Sequence, residues 1–475
     1  MDLDQNEYNL LPNEQNDSQT NQKSQNKKLK LLDRLFHISE RNSSLKFEII
    51  GGFIMFFTFL NSRSVLLNNS SLCNMEKGSF SIAISLTSGI ATMVSGFLIP
   101  IPLTIAPGDE ENNFFQRKLC DAYGLQWKTA LSVVFIQGIL SIFLSLLFLW
   151  KMKVVRQISV YLQIGIVFGV ALYIGKIGLN DIASLDDEQR VTLDIPLIIG
   201  FLAMISLVFG NSRSWNFIFI IYVFLFTIVD VVIKVIRKKF DLESWDNTIN
   251  NSAFALNFHF KNAHFLYLIF VVGFDVLINS IFTFSATIQI LGFSQSKIEP
   301  SDFIDKFSDH FEQNIHLLRR ALLITSISSS VGSLFGATPT KIIIQSVAGA
   351  AVGGKTGLAS VICGVLTLLT APLMPLIDLV PQYVISPLLL FTASKLLAIV
   401  RYIDFHDVLH IFPTFLITIL IPILRSISVG FASGYVVFAI LSPIFEKKIS
   451  LIRSLLGLFC LLRILFQAIT LKYEN

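Results

Sequence analysis

The residues best suited to chemistry lie in three polar interruptions of apolar sequence. One is the acidic run with its neighbour, Asp109–Asn112, and another is the single carboxylate Asp275. The third holds Lys341 and Gln345 within the stretch Gly336–Gly357. A buried carboxylate accepts hydrogen bonds from N–H donors and also binds a proton, because burial disfavours its charged form. These residue types therefore indicate a polar binding site that could be linked to proton movement.

The rest of the chain has the composition of a protein embedded in a lipid bilayer. Of its 475 residues, 53% are hydrophobic and 15% are charged, and its mean hydropathy is +0.66. The apolar residues form repeated runs of roughly 20, the length that a helix needs to cross a membrane. We therefore predict an all-α polytopic membrane protein. The net charge of +4 is interpreted as a topology signal, not as a sign of nucleic-acid binding.

Residues 1–46 predict a cytoplasmic N-terminus. Up to about Lys30 they are rich in Asn, Gln, Ser and Asp, a composition that favours disorder. Basic residues gather between Lys27 and Lys46, just before the first apolar span, and positive charge marks the cytoplasmic side of a span. The overlapping glycosylation sequons in Asn68–Ser71 would then face outward.

Two apolar segments are broken by proline and glycine. They are Ile101–Phe115, which begins as an extended chain and continues into the acidic run, and Gly336–Gly357. Non-helical backbone at membrane depth is tolerated only where protein or a water-filled cavity receives its polar groups, and such segments point to the binding site of a transporter. We interpret the acidic run as the start of a half-helix, where the helix dipole favours carboxylates. A polar loop is the alternative.

The apolar segments repeat in order along the chain. In each half, two spans precede a broken segment and a long span follows it, which predicts about fourteen transmembrane spans as two inverted seven-span repeats with the third and tenth spans broken. The C-terminal segment is either a further span or an interfacial helix. The basic run Arg237–Lys239 falls on the outer side in this count, against the usual charge distribution. The predicted units are the tail 1–46, the first repeat 47–235, a polar connector 236–264, the second repeat 265–444 and the C-terminal segment 445–475.

The eighth predicted span, about Phe265–Ile290, carries Asp275, Asn279 and Thr283 on one helix face, because they recur at every fourth position. A lone carboxylate inside an apolar span marks a functional site, and a structural partner for a nearby hydroxyl or lysine is the alternative. The following residues, Gly292–His316, form a predicted polar connector with some amphipathic character. Small residues in the ninth span predict close helix packing.

No pattern in the sequence indicates an enzyme or a metal site. A Ser/His/Asp arrangement and the glycine spacing of a phosphate-binding loop are absent from the sequence. The cysteines are scattered and form no CxxC or Cys/His cluster, so we predict neither a disulfide framework nor a metal site. They are Cys73, Cys120, Cys363 and Cys460.

Several motifs resemble the AzgA-like purine permeases of the nucleobase–ascorbate transporter superfamily. In the first half they lie within Ile101–Leu144, with Pro-Leu-Thr-Ile-Ala-Pro-Gly and Leu-Gln-Trp-Lys-Thr-Ala-Leu. The resemblance covers about Glu48–Ile444 in the same order. The motifs of the second half are Gly273-Phe274-Asp275, Gln345–Gly349, Gly353–Leu358, Ile411–Pro422 and Gly430–Gly434.

This resemblance implies a transporter of hypoxanthine, adenine and guanine. It also implies a core domain, formed by spans one to four and eight to eleven, that moves against a gate domain formed by the other spans. The third and tenth spans would each join a short strand to a half-helix, and the purine would bind where they meet, beside the eighth span. The binding Asn, Asp and Glu of the family fall on Asn112, Asp275 and Gln345.

The chain departs from the family pattern at this site. Gln345 stands in the place of the family's Glu, and an amide cannot titrate. The acids Asp109, Glu110 and Glu111 replace Met-Gly-Leu or a similar run, and Lys341 replaces a small polar residue. Because an isolated buried charge is costly, we predict that Lys341 pairs with one of these three carboxylates.

The leading hypothesis is a secondary active transporter of purine nucleobases in the plasma membrane, working as a proton symporter by alternating access. The coupled proton would rest on Asp275 or on the acidic run, with no cofactor and no metal. The partners would be a nucleobase and the lipid bilayer, without nucleic acid, and two copies could form a homodimer. The alternatives are a permease of altered specificity, for xanthine or uracil, and a transporter-fold sensor or scaffold without flux.

Overall fold

The computed structural model describes most of the chain. Several parts of the chain lie outside the described residues. They are the tail up to residue 31, the sequon residues 69–72, the sixth predicted span, most of the seventh and the run Arg237–Lys239. The described ranges are 32–68, 73–148, 159–183, 253–258, 264–293, 300–373, 382–398, 407–446 and 450–472, with positions 222, 225–229, 232, 380 and 400 in addition.

Helices dominate the described residues. Helix α4 begins at Trp127 and α5 at Val160. By length and composition, five described helices could cross a membrane (α2, α4, α5, α6 and α12), and α9, α10 and α11 are shorter apolar helices. The helices are α1 (Leu45–Asn68), α2 (Lys77–Leu98), α3 (Asp109–Asn113), α4 (Trp127–Phe148), α5 (Val160–Ala183), α6 (His264–Phe293), α7 (Pro300–Phe335), α8 (Gln345–Ala351), α9 (Gly357–Leu369), α10 (Gln382–Leu397), α11 (Val408–Leu424), α12 (Ile427–Glu446) and α13 (Leu451–Lys472).

Two short strands lie inside the apolar segments that proline and glycine interrupt. Strand β1 (Ile105–Pro107) pairs antiparallel with β2 (Thr340–Ile342), and Ala106 stands opposite Lys341 in the register. Both strands are buried, so the pairing satisfies backbone groups that no helix satisfies there. Strand β1 continues into α3 and then into the π-helical segment Phe114–Ala122, and β2 continues into α8.

The helices associate as two bundles. In the first bundle α2 packs along α9 and α4 along α7, with α1 and α6 beside them. In the second bundle α5 packs against α10 and α11, while α12 packs against α11 and α13. Helix α6 of the first bundle also touches α12, and α8 touches α10. The two strands and their short helices belong to the first bundle and reach its border with the second.

Small residues allow close contact within the first bundle. A Cβ atom on Gly357 would lie 2.0 Å from the carbonyl oxygen of Gly96, and one on Gly96 would lie 2.4 Å from that of Gly357. Helix α7 supplies the serines predicted for packing, and a Cβ atom on Gly138 would lie 2.7 Å from the backbone nitrogen of Ser330. The predicted packing role of these small residues is therefore confirmed.

Two predictions about the chain outside the site are wrong. The polar connector predicted for Gly292–His316 is helical from Pro300 onward, as the start of α7, because proline suits the first position of a helix and the amphipathic pattern extends it. A disulfide was not predicted, yet Cys73 and Cys120 form one. The fold brings the segment that precedes α2 against the end of the π-helical segment, a contact that cysteine spacing does not reveal.

Candidate functional site

The pairing of the two strands brings the unusual charges of both interrupted segments together. Lys341 Nζ lies 2.6 Å from Glu111 Oε2, and both side chains are buried. The predicted ion pair between Lys341 and the acidic run is thus confirmed. Gly108 makes room for it, since a Cβ atom there would lie 2.1 Å from Lys341 Cε and 2.4 Å from Glu111 Oε2.

Helix α6 completes this ion pair from the side. The Asn279 amide nitrogen donates to Glu111 Oε1 at 2.6 Å and to Glu110 Oε2 at 3.0 Å. Removing two charges from water is expensive, and only a close pair with further hydrogen bonds offsets that cost. Because Lys341 is held by Glu111, its charge is already matched within the protein.

Glu110 connects the acidic run to the second bundle. Its carboxylate accepts hydrogen bonds from the Ser426 hydroxyl, from Ser428 Oγ at 2.9 Å and from the backbone nitrogen of Ile427 at 3.2 Å. These groups form the first turn of α12, where unpaired N–H groups and the helix dipole favour a carboxylate. The side chain therefore caps a helix of the other bundle.

Asp275 is not the lone carboxylate that the sequence predicted. Arg463 Nε donates to Asp275 Oδ1 at 2.8 Å and Nη2 donates to Oδ2 at 2.8 Å, and both side chains are buried. A two-pronged contact of this kind is the strongest arrangement for a guanidinium and a carboxylate. The partner comes from α13, the C-terminal segment that the sequence left open as a span or an interfacial helix.

A cavity of about 50 Å³ lies at the border of the two bundles. The first bundle contributes Asp109, Glu110, Lys341 and Gln345 together with Ser62, and the second bundle contributes Tyr173 and Arg425. Thr283, from the predicted polar face of α6, also lines it. The cavity therefore combines polar side chains from both interrupted segments and from the opposite bundle with apolar ones such as Val170 and Ile343.

The residues predicted to bind a ligand divide into two groups. Gln345 lines the cavity, whereas Asn112 and Asp275 are not among its lining residues. Asn112 is buried, and its side-chain oxygen accepts a hydrogen bond from Gln116 Nε2 at 3.4 Å. Of the residues predicted for proton coupling or site electrostatics, Asp109, Glu110 and Lys341 line the cavity, and Glu111 supports Lys341 from behind.

Three polar residues of the cavity wall were not predicted as site residues from the sequence: Ser62, Tyr173 and Arg425. Ser62 is hydrogen-bonded to Gln345, whose Nε2 atom donates to Ser62 Oγ at 2.6 Å. Its signal was the polar interruption Asn61–Ser64 near the end of the first span. Arg425 follows α11 in the left-handed backbone region, with φ at 53°, and no sequence signal set it apart from other interfacial arginines.

A resident metal ion has no obvious binding place in the parts of the chain that the structure covers. No group of three or more His, Cys, Asp or Glu side chains there could hold one. Near the cavity, the charge of Lys341 is matched by Glu111, while Asp109, Glu110 and Arg425 also line the cavity.

Comparison with known proteins gives matches over most of the chain. The model of the Permease family matches residues 52–433. The guanine/hypoxanthine permease PbuO of Bacillus subtilis is 28% identical over 421 residues, which cover 86% of this chain and 93% of that protein. The adenine permease AdeP of Escherichia coli is 23% identical over 420 residues, which cover 86% of this chain and 90% of that protein. The resemblance predicted from sequence motifs is confirmed by these matches.

One solved structure similar to this chain is the transmembrane domain of a cyanobacterium bicarbonate transporter, BicA. The TM-score is 0.50 at 14% identity, over 82% of this chain and 97% of that one. Such a similarity concerns the fold alone, and the fold is a mostly helical membrane transporter fold.

Proposed function

This chain belongs to the permease family, and on that premise we propose that it carries purine nucleobases of the hypoxanthine, adenine and guanine type across a membrane. Permeases are transporters and not enzymes, and relatives that cover most of the chain are named as purine permeases. The observation that carries the proposal is the polar cavity where both interrupted segments meet the second bundle. Its hydrogen-bonding groups suit a flat heterocycle with N–H donors and ring acceptors.

The proposed architecture has about fourteen spans in two inverted repeats, 47–235 and 265–444, with the third and tenth spans interrupted. The antiparallel pairing of β1 with β2 supports it, because equivalent segments of inverted repeats meet in opposite directions. We assign the first bundle to the core domain and the second bundle to the gate domain. A cavity of about 50 Å³ holds only a few water molecules, so a purine enters when the bundles move apart.

The proposed transport is proton symport by alternating access. We assign the coupled proton to Asp275, because a proton on this carboxylate would break its ion pair with Arg463 and release α13. Gln345 contacts the base directly, and Asn112 supports the segment behind it. The proposed setting is the plasma membrane, with the N-terminus in the cytoplasm and with a homodimer as the assembly.

Uptake of labelled hypoxanthine, adenine and guanine by a host without its own purine uptake tests the proposal. We expect saturable accumulation of the labelled base, which unlabelled purines should inhibit by competition. Gln345→Ala should reduce this accumulation at least about tenfold, because an amide in the binding site is lost. The matched control is Gln126→Ala, which removes an exposed amide and leaves uptake unchanged.

Two outcomes would contradict the transport proposal. No uptake of any nucleobase by protein that reaches the membrane would exclude purine transport under these conditions. Binding of purines to the purified protein without any flux would favour a sensor or scaffold that has the same cavity.

A further inference from the structure

Two buried oxygen atoms at the cavity lack a hydrogen-bond partner among the described residues. They are Oδ1 of Asp109 and Oε1 of Gln345, and both residues line the cavity. Buried polar atoms in folded proteins are almost always hydrogen-bonded. Gln345 is only 5% exposed, so bulk water does not satisfy its oxygen. The pair therefore has the properties of a binding site for a ligand that donates hydrogen bonds.

The Ser62 hydroxyl fixes which atom of the Gln345 amide faces the cavity. Gln345 Nε2 donates a hydrogen bond to Ser62 Oγ at 2.6 Å. Because the amide nitrogen is engaged in this contact, the acceptor end of the amide is the one left for the cavity. The amide oxygen of Gln345 is then the free acceptor, and the network sets the amide orientation.

The nearest cations complement this acceptor pair without occupying it. Lys341 is held at 2.6 Å by Glu111. Arg425 lines the cavity from the second bundle and offers only donors. The cavity thus combines two acceptors from the first bundle with a guanidinium from the second.

We propose that Asp109 and Gln345 form an acceptor pair that binds two neighbouring N–H donors of a purine, so that the protein prefers guanine to adenine. This inference rests on the proposed function and names the base. Guanine presents the N1–H and N2–H₂ donors side by side, with the O6 acceptor next to them for Arg425. Hypoxanthine keeps one of these donors. Adenine sets its N1 lone pair against one acceptor oxygen, and such a mismatch inside a buried site is costly.

Competition by unlabelled bases against labelled hypoxanthine uptake tests the inference. We expect the wild-type protein to be inhibited by guanine at a concentration at least about tenfold lower than by adenine. In Asp109→Asn, an amide nitrogen can take the place of the unpartnered acceptor oxygen, so that a donor faces the cavity there. A donor beside an acceptor matches adenine, so the guanine-to-adenine preference should fall at least about tenfold.

Two further variants make the result specific to the cavity. Ser62→Ala leaves both acceptors in place but frees the Gln345 amide to turn, so it should also lower the preference for guanine. Asp121→Asn is the matched control, because Asp121 is exposed in the π-helical segment, and it should leave the preference unchanged.

The outcomes separate this inference from the transport proposal. Uptake that is retained in Asp109→Asn and Ser62→Ala with an unchanged guanine-to-adenine preference would overturn the inference and leave purine transport standing. If Asp109→Asn does not reach the membrane, the guanine-to-adenine preference of Ser62→Ala alone tests the inference. If no purine inhibits uptake or binds the wild-type protein, both the inference and the proposed function are overturned.

Discussion

Glu110 Oε1 accepts a hydrogen bond from Ser428 Oγ at 2.9 Å, and this contact joins the interrupted segment of the first bundle to the N-terminus of α12 in the second. The other carboxylate oxygen accepts from the backbone nitrogen of Ile427. In the proposed transport cycle the bundles separate, so these contacts must break each time the cavity opens. Glu110 therefore holds the closed arrangement together and also limits how readily it opens.

Removing this cap should lower stability. In Glu110→Ala the first turn of α12 loses its acceptor, and losing a helix cap costs about 0.5–2 kcal/mol. Glu110→Gln keeps one acceptor oxygen and should lose less. Thermal unfolding in detergent measures the stability of the three proteins, which should decrease from wild type to Glu110→Gln to Glu110→Ala. Glu40→Ala serves as the control because Glu40 is 75% exposed, and an equal midpoint for Glu110→Ala and wild type would contradict the capping role.

The ion pair of Lys341 and Glu111 should show strong coupling in a double-mutant cycle. Lys341→Met alone leaves a buried carboxylate without its cation, which costs about 3–5 kcal/mol, and Glu111→Gln alone leaves the ammonium unmatched. The double variant should recover most of the loss, because neither charge is then left alone. Unfolding measurements on the four proteins give the coupling energy, and additive losses would argue against a direct pair.

Proton coupling through Asp275 predicts a change in the pH response of transport. Wild-type uptake should rise as the outside is acidified and fall when a protonophore dissipates the gradient. Asp275→Asn cannot exchange a proton, so any uptake that remains should no longer respond to either treatment. The double variant Asp275→Asn with Arg463→Gln avoids an unmatched guanidinium and guards against misfolding. A normal pH response of uptake in these variants would show that the coupled proton binds to a group other than Asp275.

The disulfide between Cys73 and Cys120 predicts which side of the membrane its region faces. Disulfides persist in oxidising compartments, and Cys73 follows the first predicted span, so we expect this region on the outer surface. An impermeant maleimide should label intact cells only after an impermeant reductant. Cys73 and Cys120 line a pocket together with the exposed residue Gln126, whereas Cys363 and Cys460 are buried and do not line this pocket. Cys73→Ser with Cys120→Ser provides the unlabelled control. If these cysteines are labelled only in permeabilised cells, the region lies on the inner side and the predicted topology is wrong.

The sequence predicted those parts of the site that depend on local pattern. Pro339 and Gly108 signalled the broken backbone, and the rule that buried charges need partners led to the pairing of Lys341 with an acid. The short strands were implied by the resemblance to the purine permeases, and their pairing satisfies backbone groups that lack helical hydrogen bonds.

Long-range contacts limited what the sequence could predict. Arg463 reaches Asp275 across 188 positions of the chain, from a helix whose placement had no sequence signal. Cys73 and Cys120 are separated by 47 positions, and spacing alone cannot distinguish such a pair from free cysteines. The polar interruption Asn61–Ser64 drew attention to Ser62, but its contact with Gln345 joins residues 283 positions apart and was visible only in the structure.

The most direct test of the central claim is equilibrium binding of labelled guanine to the purified protein, compared between wild type and Gln345→Ala. We expect saturable binding by wild type and by the control Gln126→Ala, and at least about tenfold weaker binding by Gln345→Ala, because a buried hydrogen-bonding group at the cavity is removed. Without ligand, the free energies of unfolding of the three proteins should differ by no more than the contribution of one side-chain hydrogen bond. Equal guanine affinity in wild type and Gln345→Ala would contradict the placement of the binding site at this cavity.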